Sequence, residues 1–262
     1  MNGSQDRRDL DAAFLREVVG APHDDTPLLI YADWLMDQPD AASQTRGEYL
    51  RLSSLLARTN DRGLARDLRW RTQELWWGHA DAWLGPVYDA VDHFIYERGR
   101  LCVEVSEGPF CRLSPEELAC VPAWDWVTDV VVRKGGLDLL LHLGRSPRPP
   151  LLEGVDVGRG SLEEGELEYL LEEGFWAGVP ELELQLNPLG DSGAAGLAYW
   201  PGLAGVRLLD LTGCGIGRAG LLSLAQSPYL DAVEKLRLTA PAYESEGWRL
   251  LNQRFGRRVR WS

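Results

Sequence analysis

"LELQLNPLGDSGAAGLA" (residues 182–198) changes from a strand-like to a helix-like pattern within a few residues. Its first part alternates leucine with polar residues, which is the period of a half-buried β-strand. The Asn187-Pro188 pair and Gly190 follow, and such residues are typical of a turn. The small residues that come next, together with Leu197, suit the beginning of a helix. The segment therefore predicts a strand, a turn and a helix in quick succession.

The same succession returns along the chain at a fixed interval. A shift by 27 residues carries Leu182 onto Leu209 and then onto Leu236. One period earlier the pattern falls on Val155 and Gly160, and a unit shorter by two residues begins at Val130. A fixed period of this length indicates stacked structural repeats. The other superimposed sets are Asn187, Cys214 and Pro241 at the turn, and Leu197, Leu224 and Leu251 in the helix.

These units resemble leucine-rich repeats, whose signature is L-x-L-x-x-N/C-x-L, and are similar to the helix-bearing subtype typified by ribonuclease inhibitor. The resemblance covers about residues 128–262 and implies short parallel strands, each followed by a helix. Stacking would then supply the core that a single unit lacks. At the turn, Asn187 is expected to satisfy backbone groups and Cys214 to take its place. Pro241, which has no N–H, predicts a distorted last unit.

Upstream of the repeats the sequence predicts four helices. The first covers residues 8–20 and ends at Gly20, and the second begins at Asp25 or Thr26 and ends at Pro39. The third covers residues 45–59 and the fourth residues 61–85. Apolar residues spaced three to four apart predict the buried faces of the middle two helices. These faces are Leu28, Tyr31, Ala32 and Leu35 in the second helix, and Tyr49, Leu52, Leu55 and Leu56 in the third.

Residues 8–56 resemble the repeat-companion domain of planctomycete bacteria. That family carries an F-L-x-x-I…D-x-x-R-L-V-Y-A-D-W-L-E-E…R-G-E-F-I-R-L-Q pattern, and Met36-Asp37 stands here in place of its acidic pair. The domain is found next to repeats, often leucine-rich ones, so the resemblance implies an architecture and no particular reaction. The matching positions are Phe14, Leu15, Tyr31, Ala32, Asp33, Trp34, Leu35, Arg46, Gly47, Glu48, Leu50, Arg51 and Leu52.

Composition and charge limit the class of protein. The formal net charge is −13, whereas a protein that grips a nucleic-acid backbone needs a basic face, so we expect no nucleic-acid partner. No run of about 18 apolar residues occurs, so we expect no membrane association. Residues 1–14 lack the apolar stretch of a secretory signal, which favours a cytoplasmic location.

The sequence carries no recognisable metal or cofactor motif. No two cysteines have metal-ligand spacing, and the histidines form neither His-x-x-x-His nor His-x-Glu. The glycines of "GCGIGRAG" (213–220) fit the 27-residue pattern without a phosphate ligand. We therefore expect no metal and no cofactor. The cysteines are interpreted as small buried side chains in a reducing compartment: Cys102, Cys111, Cys120 and Cys214.

The candidate binding site lies on the predicted strands. The residue between the two inward-pointing apolar positions of each strand faces the other side of the sheet, which in a stack of repeats is the concave surface. Three successive acids there favour a protein partner with a basic surface, and a merely solvated charged face is the alternative. The predicted partner-binding residues are Asp156, Glu183, Asp210 and Arg237, flanked by Gln185, Thr212 and Thr239.

A second hypothesis places an enzyme or enzyme-regulator site in the helical region, around Asp33, Trp34, Arg46 and Glu48. Asp33 would act there as a catalytic acid. The competing interpretation is a salt bridge from Asp33 to Arg46 or Arg51 that joins the second and third helices, with Trp34 at their junction. The sequence offers no second catalytic group, so the structural interpretation is favoured.

The predicted fold is α/β: an N-terminal helical domain joined to a short leucine-rich-repeat solenoid with a parallel sheet. Residues 1–92 are predicted to form the helical repeat-companion domain, and residues 93–262 a capping strand and the solenoid. The predicted function is non-catalytic protein–protein interaction through the concave repeat face.

Overall fold

The computed structural model describes residues 2–21, 23–159, 162, 165–172 and 176–262. Gly160, which the repeat pattern placed at a turn, lies outside these ranges. The described chain is α/β, with a helical N-terminal region and an open, mostly parallel eight-stranded sheet. Each helix in these ranges is too short or too polar to cross a lipid bilayer. Two compact units are present: the first unit comprises Met1–Val103, Glu117–Thr128 and Pro149–Leu151, and the second unit comprises Glu104–Glu116, Asp129–Arg148 and Leu152–Ser262.

The first unit contains the four helices that the sequence predicted. The first of them begins earlier than predicted and includes Gly20 as its last residue. Pro27 lies in the first turn of the second helix, where a missing N–H removes no helical hydrogen bond. A short fifth helix follows the fourth. The bounds are α1 Asn2–Gly20, α2 Thr26–Met36, α3 Ala41–Arg58, α4 Arg62–Leu84 and α5 Val87–Ala90.

Helices α2 and α3 pack closely because a glycine lies at their contact. A Cβ atom on Gly47 would lie 2.6 Å from the carbonyl oxygen of Ala32 and 2.8 Å from Cγ of Met36. Tyr31 and Leu35 are buried on the same face of α2, which confirms the buried face predicted for that helix. Gly47 therefore permits an approach of the two helices that a larger residue would prevent.

The buried face of α3 differs from the predicted one. Leu55 is 46% exposed, although the apolar pattern placed it inside. Ser54 is buried instead, and its Oγ donates a hydrogen bond to Oδ2 of Asp25 at 2.9 Å. The prediction was wrong because it used apolarity alone, whereas polar side chains with internal partners are also buried. The buried residues of α3 are Arg46, Gly47, Leu50 and Ser54.

Eight strands form one sheet in which spatial order follows chain order. From the third strand to the eighth, neighbouring strands are parallel. The predicted capping strand is present as two strands, and Leu101, Val103 and Val105 are buried alternately along the second of them, as predicted. The bounds are β1 His93–Glu97, β2 Arg100–Ser106, β3 Val127–Lys134, β4 Gly154–Asp156, β5 Glu181–Glu183, β6 Leu208–Leu211, β7 Lys235–Leu238 and β8 Val259–Trp261.

One column of buried aliphatic residues crosses the parallel strands of the second unit. Val155 pairs with Leu182, Leu182 with Leu209, and Leu209 with Leu236. The shorter sequence repeat that begins at Val130 keeps the same register, because Val130 pairs with Val155. All five side chains are at most 3% exposed. These pairs confirm the register that the 27-residue shift predicted.

The predicted succession of strand, turn and helix occurs three times, and its strands are β5, β6 and β7. The helices that follow these strands begin at Gly190, Arg218 and Glu246, in equal steps of 28 residues. Because the step does not change across Pro241, the distortion expected for the last sequence repeat is not seen in the position of its helix. The remaining helices of the chain are α6 Glu107–Phe110, α7 Pro115–Ala119, α8 Leu137–Arg145, α9 Glu166–Glu172, α10 Gly190–Tyr199, α11 Arg218–Gln226 and α12 Glu246–Phe255.

Asn187, which is fully buried, binds the backbone where the chain leaves β5. Its Nδ2 donates to the carbonyl oxygens of Val157 at 2.7 Å and Leu184 at 2.9 Å, and its Oδ1 accepts from the N–H of Leu162 at 3.0 Å. Cys214 lies one period later, and its Sγ donates to the same Leu184 oxygen at 3.0 Å. The predicted role of Asn187, and its replacement by cysteine, are confirmed.

Gly47→Ala should destabilise the first unit by about 2 kcal/mol, because the added methyl group overlaps the backbone of α2. The matched control is Gly78→Ala in α4, where a Cβ atom meets nothing within 4 Å. That substitution should stabilise the protein by about 0.5–1 kcal/mol, since alanine is the better helix former. Urea denaturation of both variants measures the two changes. Equal effects of the same sign would contradict the close approach at Gly47.

Asn187→Ala should lower the free energy of unfolding by about 3 kcal/mol, because it leaves the carbonyl oxygen of Val157 and the N–H of Leu162 buried without their partner. Gln226→Ala, at the exposed end of α11, removes a comparable amide and should change stability by less than about 0.5 kcal/mol. Chemical denaturation followed by circular dichroism compares them. A loss for Asn187→Ala no larger than for the control would rule out this role of Asn187.

Candidate functional site

Five charged side chains form a row across the strands of the second unit. Asp156 pairs with Glu183, Glu183 with Asp210, Asp210 with Arg237, and Arg237 with Arg260. Each alternates along its strand with the buried column, so the row lies on the opposite face of the sheet. We call these five residues the charged row. The register thus brings the four predicted charged residues together and adds Arg260.

Asp210 has partners within the row. Its Oδ2 accepts a hydrogen bond from Nη1 of Arg237 at 2.9 Å, and its Oδ1 accepts from the backbone N–H of Thr212 at 2.9 Å. The side chain is only 7% exposed. The hydrogen bond to Asp210 raises the pKa of Arg237 above its usual value, so the guanidinium stays charged. Asp210 therefore holds Arg237 in place and offers little carboxylate surface to a partner.

Asp156 is also held by groups of its own chain. Its Oδ1 accepts from the N–H of Gly158 at 2.9 Å and from Nε2 of Gln185 at 3.2 Å. The Oε1 atom of Gln185 is buried and has no hydrogen-bond partner among the described residues. Thr239, which is exposed, accepts at its Oγ1 from the N–H of Gly213 at 2.7 Å. The predicted flanking residues Gln185 and Thr212 thus donate to the carboxylates of Asp156 and Asp210, and Thr239 binds the turn after β6.

Glu183 is the acid of the row whose carboxylate has no hydrogen bond in the described part of the chain. Its nearest cation is Arg237, with Nη1 at 4.0 Å from Oε2. Partial burial and the neighbouring carboxylate of Asp156 raise the pKa of Glu183, and Arg237 only partly opposes this. The side chain is about one third exposed. Glu183 is therefore an acid that a cation outside the chain would stabilise.

Charges of opposite sign are separated along this face of the sheet. Glu181 lies two residues before Glu183 on β5, so it shares the face, and it is exposed. Lys235 stands in the same relation to Arg237 on β7 and is also exposed. Arg260 adds a further exposed cation on β8. The face is thus acidic at β4 and β5 and basic at β7 and β8.

A left-handed backbone conformation recurs in the turns beside the charged row. Arg159, Leu186 and Gly213, each 27 residues apart, have φ angles of 66°, 62° and 74°. Leu186 is 57% exposed, so an apolar side chain lies in solvent next to Gln185. Sequence reasoning missed Leu186 because it follows an apolar pattern that suits a buried strand. The signal that reveals it is the glycine at position 213, one period later.

The second hypothetical site, around Asp33, is not assembled. Asp33 pairs with Arg51 at 3.4 Å, and both side chains are more than 60% exposed. Glu48 pairs with Arg71 at 2.9 Å. Trp34 packs on the aromatic rings of α1 and α2, and Arg46 has other partners. The predicted salt bridge from Asp33 thus forms with Arg51 and not with Arg46, and it lies at the surface.

Arg46 is the centre of a buried cluster in the first unit. Its Nη2 donates to Oδ1 of Asp11 at 2.7 Å and to the hydroxyl of Tyr31. The guanidinium lies over the ring of Trp126, with Cζ 3.7 Å from the centroid, and Nε1 of Trp126 donates to Oδ2 of Asp11 at 2.8 Å. Burial works against the charge on Arg46, but Tyr31 and Asp11 outweigh it and raise the pKa of the guanidinium. Arg46 thus joins α1, α2 and α3.

Side chains that bind metals are scattered in the described residues. No three His, Cys, Asp or Glu side chains lie close enough there to hold a metal ion. The four cysteines are free, and only Cys214 is buried, whereas Cys120 is exposed. The prediction that all four cysteines are buried was therefore wrong. Cys120 follows a short helix, α7, in which Glu116, Glu117 and Ala119 are exposed.

Neither a scan of protein-family models nor a search of the curated proteins matches this chain.

Glu183→Gln should stabilise the protein at neutral pH and have little effect in acid. The pKa of Glu183 is raised on folding, so between the usual and the raised pKa the folded state binds the proton more tightly. The wild-type protein is therefore more stable when Glu183 is protonated, and it loses this stability as pH rises through this range. Glutamine carries no charge, so the variant does not undergo that loss. Urea denaturation at about pH 4 and about pH 7.5, on either side of the usual glutamate range, measures the difference.

The control for this pH dependence is Glu234→Gln, which changes an exposed carboxylate just before β7. Its effect on the free energy of unfolding should be the same at both pH values. A Glu183→Gln protein that is less stable than the wild type at neutral pH would mean that attraction to Arg237 outweighs burial.

Proposed function

We propose that this protein is a non-catalytic binding module and that its charged row contacts a protein partner. In this proposal the second unit is a leucine-rich-repeat solenoid, and the row lies on its concave face. The observation that carries the proposal is the register Asp156–Glu183–Asp210–Arg237, which aligns charged groups on one face of the sheet.

Recurrence of local geometry supports the repeat assignment. The strand, the left-handed turn residue and the helix return with nearly constant spacing after β5 and β6. Asn187 and Cys214 each bind a backbone carbonyl of the preceding repeat at the equivalent position. Neighbouring repeats that share hydrogen bonds and a buried aliphatic column are the expected unit of stability in a solenoid.

The packing of α2 and α3 supports the assignment of residues 8–56 to a repeat-companion domain. Tyr31 and Leu35 of the Y-A-D-W-L segment are buried against α3, and Gly47 of the R-G-E segment permits that contact. Arg46 of the same segment binds the hydroxyl of Tyr31. The residues shared with that family therefore account for the contact between α2 and α3.

Charge and hydrogen bonding support binding in preference to catalysis. Asp156 and Asp210 accept hydrogen bonds from the backbone of their own turns, so these carboxylates are engaged within the chain. The carboxylates of Glu181 and Glu183 have no hydrogen-bond partner among the described residues, and they lie at the acidic end of the face. A partner that presents a basic group to β4 and β5 and an acidic group to β7 and β8 matches this distribution.

A photo-cross-linker tests this surface directly. Benzoylphenylalanine replaces Glu181, which is exposed on the face of the row, and the control places it at Gln226 on α11. In extract of the source cells, we expect a specific cross-linked protein from position 181 that position 226 does not capture. Adding Glu183→Lys should reduce its yield about tenfold, since a reversed charge costs at least about 1.4 kcal/mol of binding.

Glu234→Lys is the matched control for charge reversal, because Glu234 is exposed outside the row. It should leave the yield unchanged, and circular dichroism checks that each variant is folded. Capture of the same protein at both cross-linker positions, or an unchanged yield with Glu183→Lys, would refute the proposed surface.

A further inference from the structure

The first unit contains a cavity that the proposed function does not use. Its volume is about 400 Å³. Small-molecule sites typically range from about 300 to 1,000 Å³. The lining combines cations with aromatic walls, and all of it belongs to the first unit. The residues that matter below are Arg7, Arg8, Arg46, Asp11, Ala42 and Trp83.

Arg46 lines this cavity; its Nη2 binds Asp11 and Tyr31, whereas its Nη1 has no hydrogen bond among the described residues. Its side chain is 5% exposed, and its Nε is buried and has no partner among the described residues. A buried donor without an acceptor costs about 1–3 kcal/mol. The guanidinium cannot turn to find an acceptor, because Asp11 and the ring of Trp126 hold it in place. Nε therefore stays without an acceptor, and an oxyanion in the cavity would bind the guanidinium through the N–H groups of Nη1.

Arg7 and Arg8 add two positioned cations. Arg7 binds Asp40 through Nη2 at 2.7 Å, and Arg8 binds Asp125 through two nitrogens, one of them at 2.9 Å. A guanidinium has five N–H donors, so a single carboxylate leaves others for a second anion. Each arginine of the lining therefore has one carboxylate partner, which is Asp40, Asp125 or Asp11. Arg7 uses only Nη2 in its bonds to Asp40 and Ser43, so an oxyanion in the cavity would accept from its other N–H groups.

Apolar groups form the rest of the wall. Trp83 is 5% exposed and packs against Tyr49 and Trp76, so its position is fixed. Its Nε1 donates to Oγ1 of Thr45 at 3.1 Å, so the indole N–H is already satisfied. The indole therefore contributes apolar surface to the cavity. A ligand with an apolar ring would bury that surface.

We propose that this cavity binds a small organic oxyanion, in which a carboxylate or phosphate group is attached to an apolar, ring-sized body. The oxyanion accepts from Arg46 and Arg7, and the ring packs against Trp83 and Ala42. This site is independent of the charged row, because its lining lies wholly within the first unit.

Isothermal titration calorimetry with four probes tests the ligand chemistry. The probes are benzoate, phenyl phosphate, inorganic phosphate and the uncharged benzyl alcohol. We expect at least one aromatic anion to bind at least about tenfold more tightly than both inorganic phosphate and benzyl alcohol, because each partial probe lacks one of the two contacts. The tighter of the two aromatic anions identifies the oxyanion. The absence of binding by both at millimolar concentration, or equal binding of a partial probe, overturns the proposal.

Two pairs of variants locate the binding. Ala42→Leu fills the cavity and should abolish binding of the aromatic anion, whereas Ala57→Leu, at an exposed position of the same helix, should not. Arg7→Gln should weaken binding about tenfold through the loss of a charged donor, whereas Arg16→Gln, exposed on α1, should not. Thermal unfolding checks each fold, and Arg7→Gln serves if Ala42→Leu does not fold, since Arg7 is 39% exposed. Unchanged affinity in the folded cavity variants places the ligand elsewhere and overturns the proposal.

Discussion

The column of buried aliphatic side chains across β3 to β7 fixes the register of the parallel strands. Because side chains alternate along a strand, a slip by one residue would turn Leu182 and Leu209 toward solvent and bury Glu183 and Asp210. The register that makes the core therefore also aligns the charged row. The turns depend on it as well, since Asn187 reaches Val157 and Leu162 only when β4 and β5 pair as they do.

Much of the second unit could be predicted from the sequence because its contacts join residues at a constant spacing. The register, the backbone contacts of Asn187 and the side-by-side charged residues all follow from the 27-residue pattern. The pattern does not reveal which acids are accessible. Asp210 is covered by Arg237, whereas Glu183 is not, and this depends on side-chain hydrogen bonds that spacing does not specify. In the first unit, apolarity likewise failed on α3, where Ser54 is buried and Leu55 is exposed.

Both units pair an aspartate with an arginine, but the two pairs have different surroundings. Asp210 and Arg237 share a half-exposed face, so water and a partner can both compete for the guanidinium. Arg46 and Asp11 lie beneath Tyr31 and Trp126, where removal of either charge would leave the other unpaired at a cost of about 3–5 kcal/mol. The first pair suits an adjustable binding surface. The second gives a rigid frame around the cavity, which lowers the entropic cost of ordering the donors on binding.

Leu186 shows how the turns connect stability with binding. A left-handed conformation costs a non-glycine residue about 1–2 kcal/mol. Gly213, 27 residues later along the chain, avoids this cost at the equivalent position. Leu186 adopts the conformation and also exposes 57% of its surface to water, so it is unfavourable on both counts in the free protein. A partner bound to the neighbouring charged row would cover this side chain and recover part of the hydrophobic term. The cost of Leu186 in the free protein is therefore consistent with a surface that is completed by a partner.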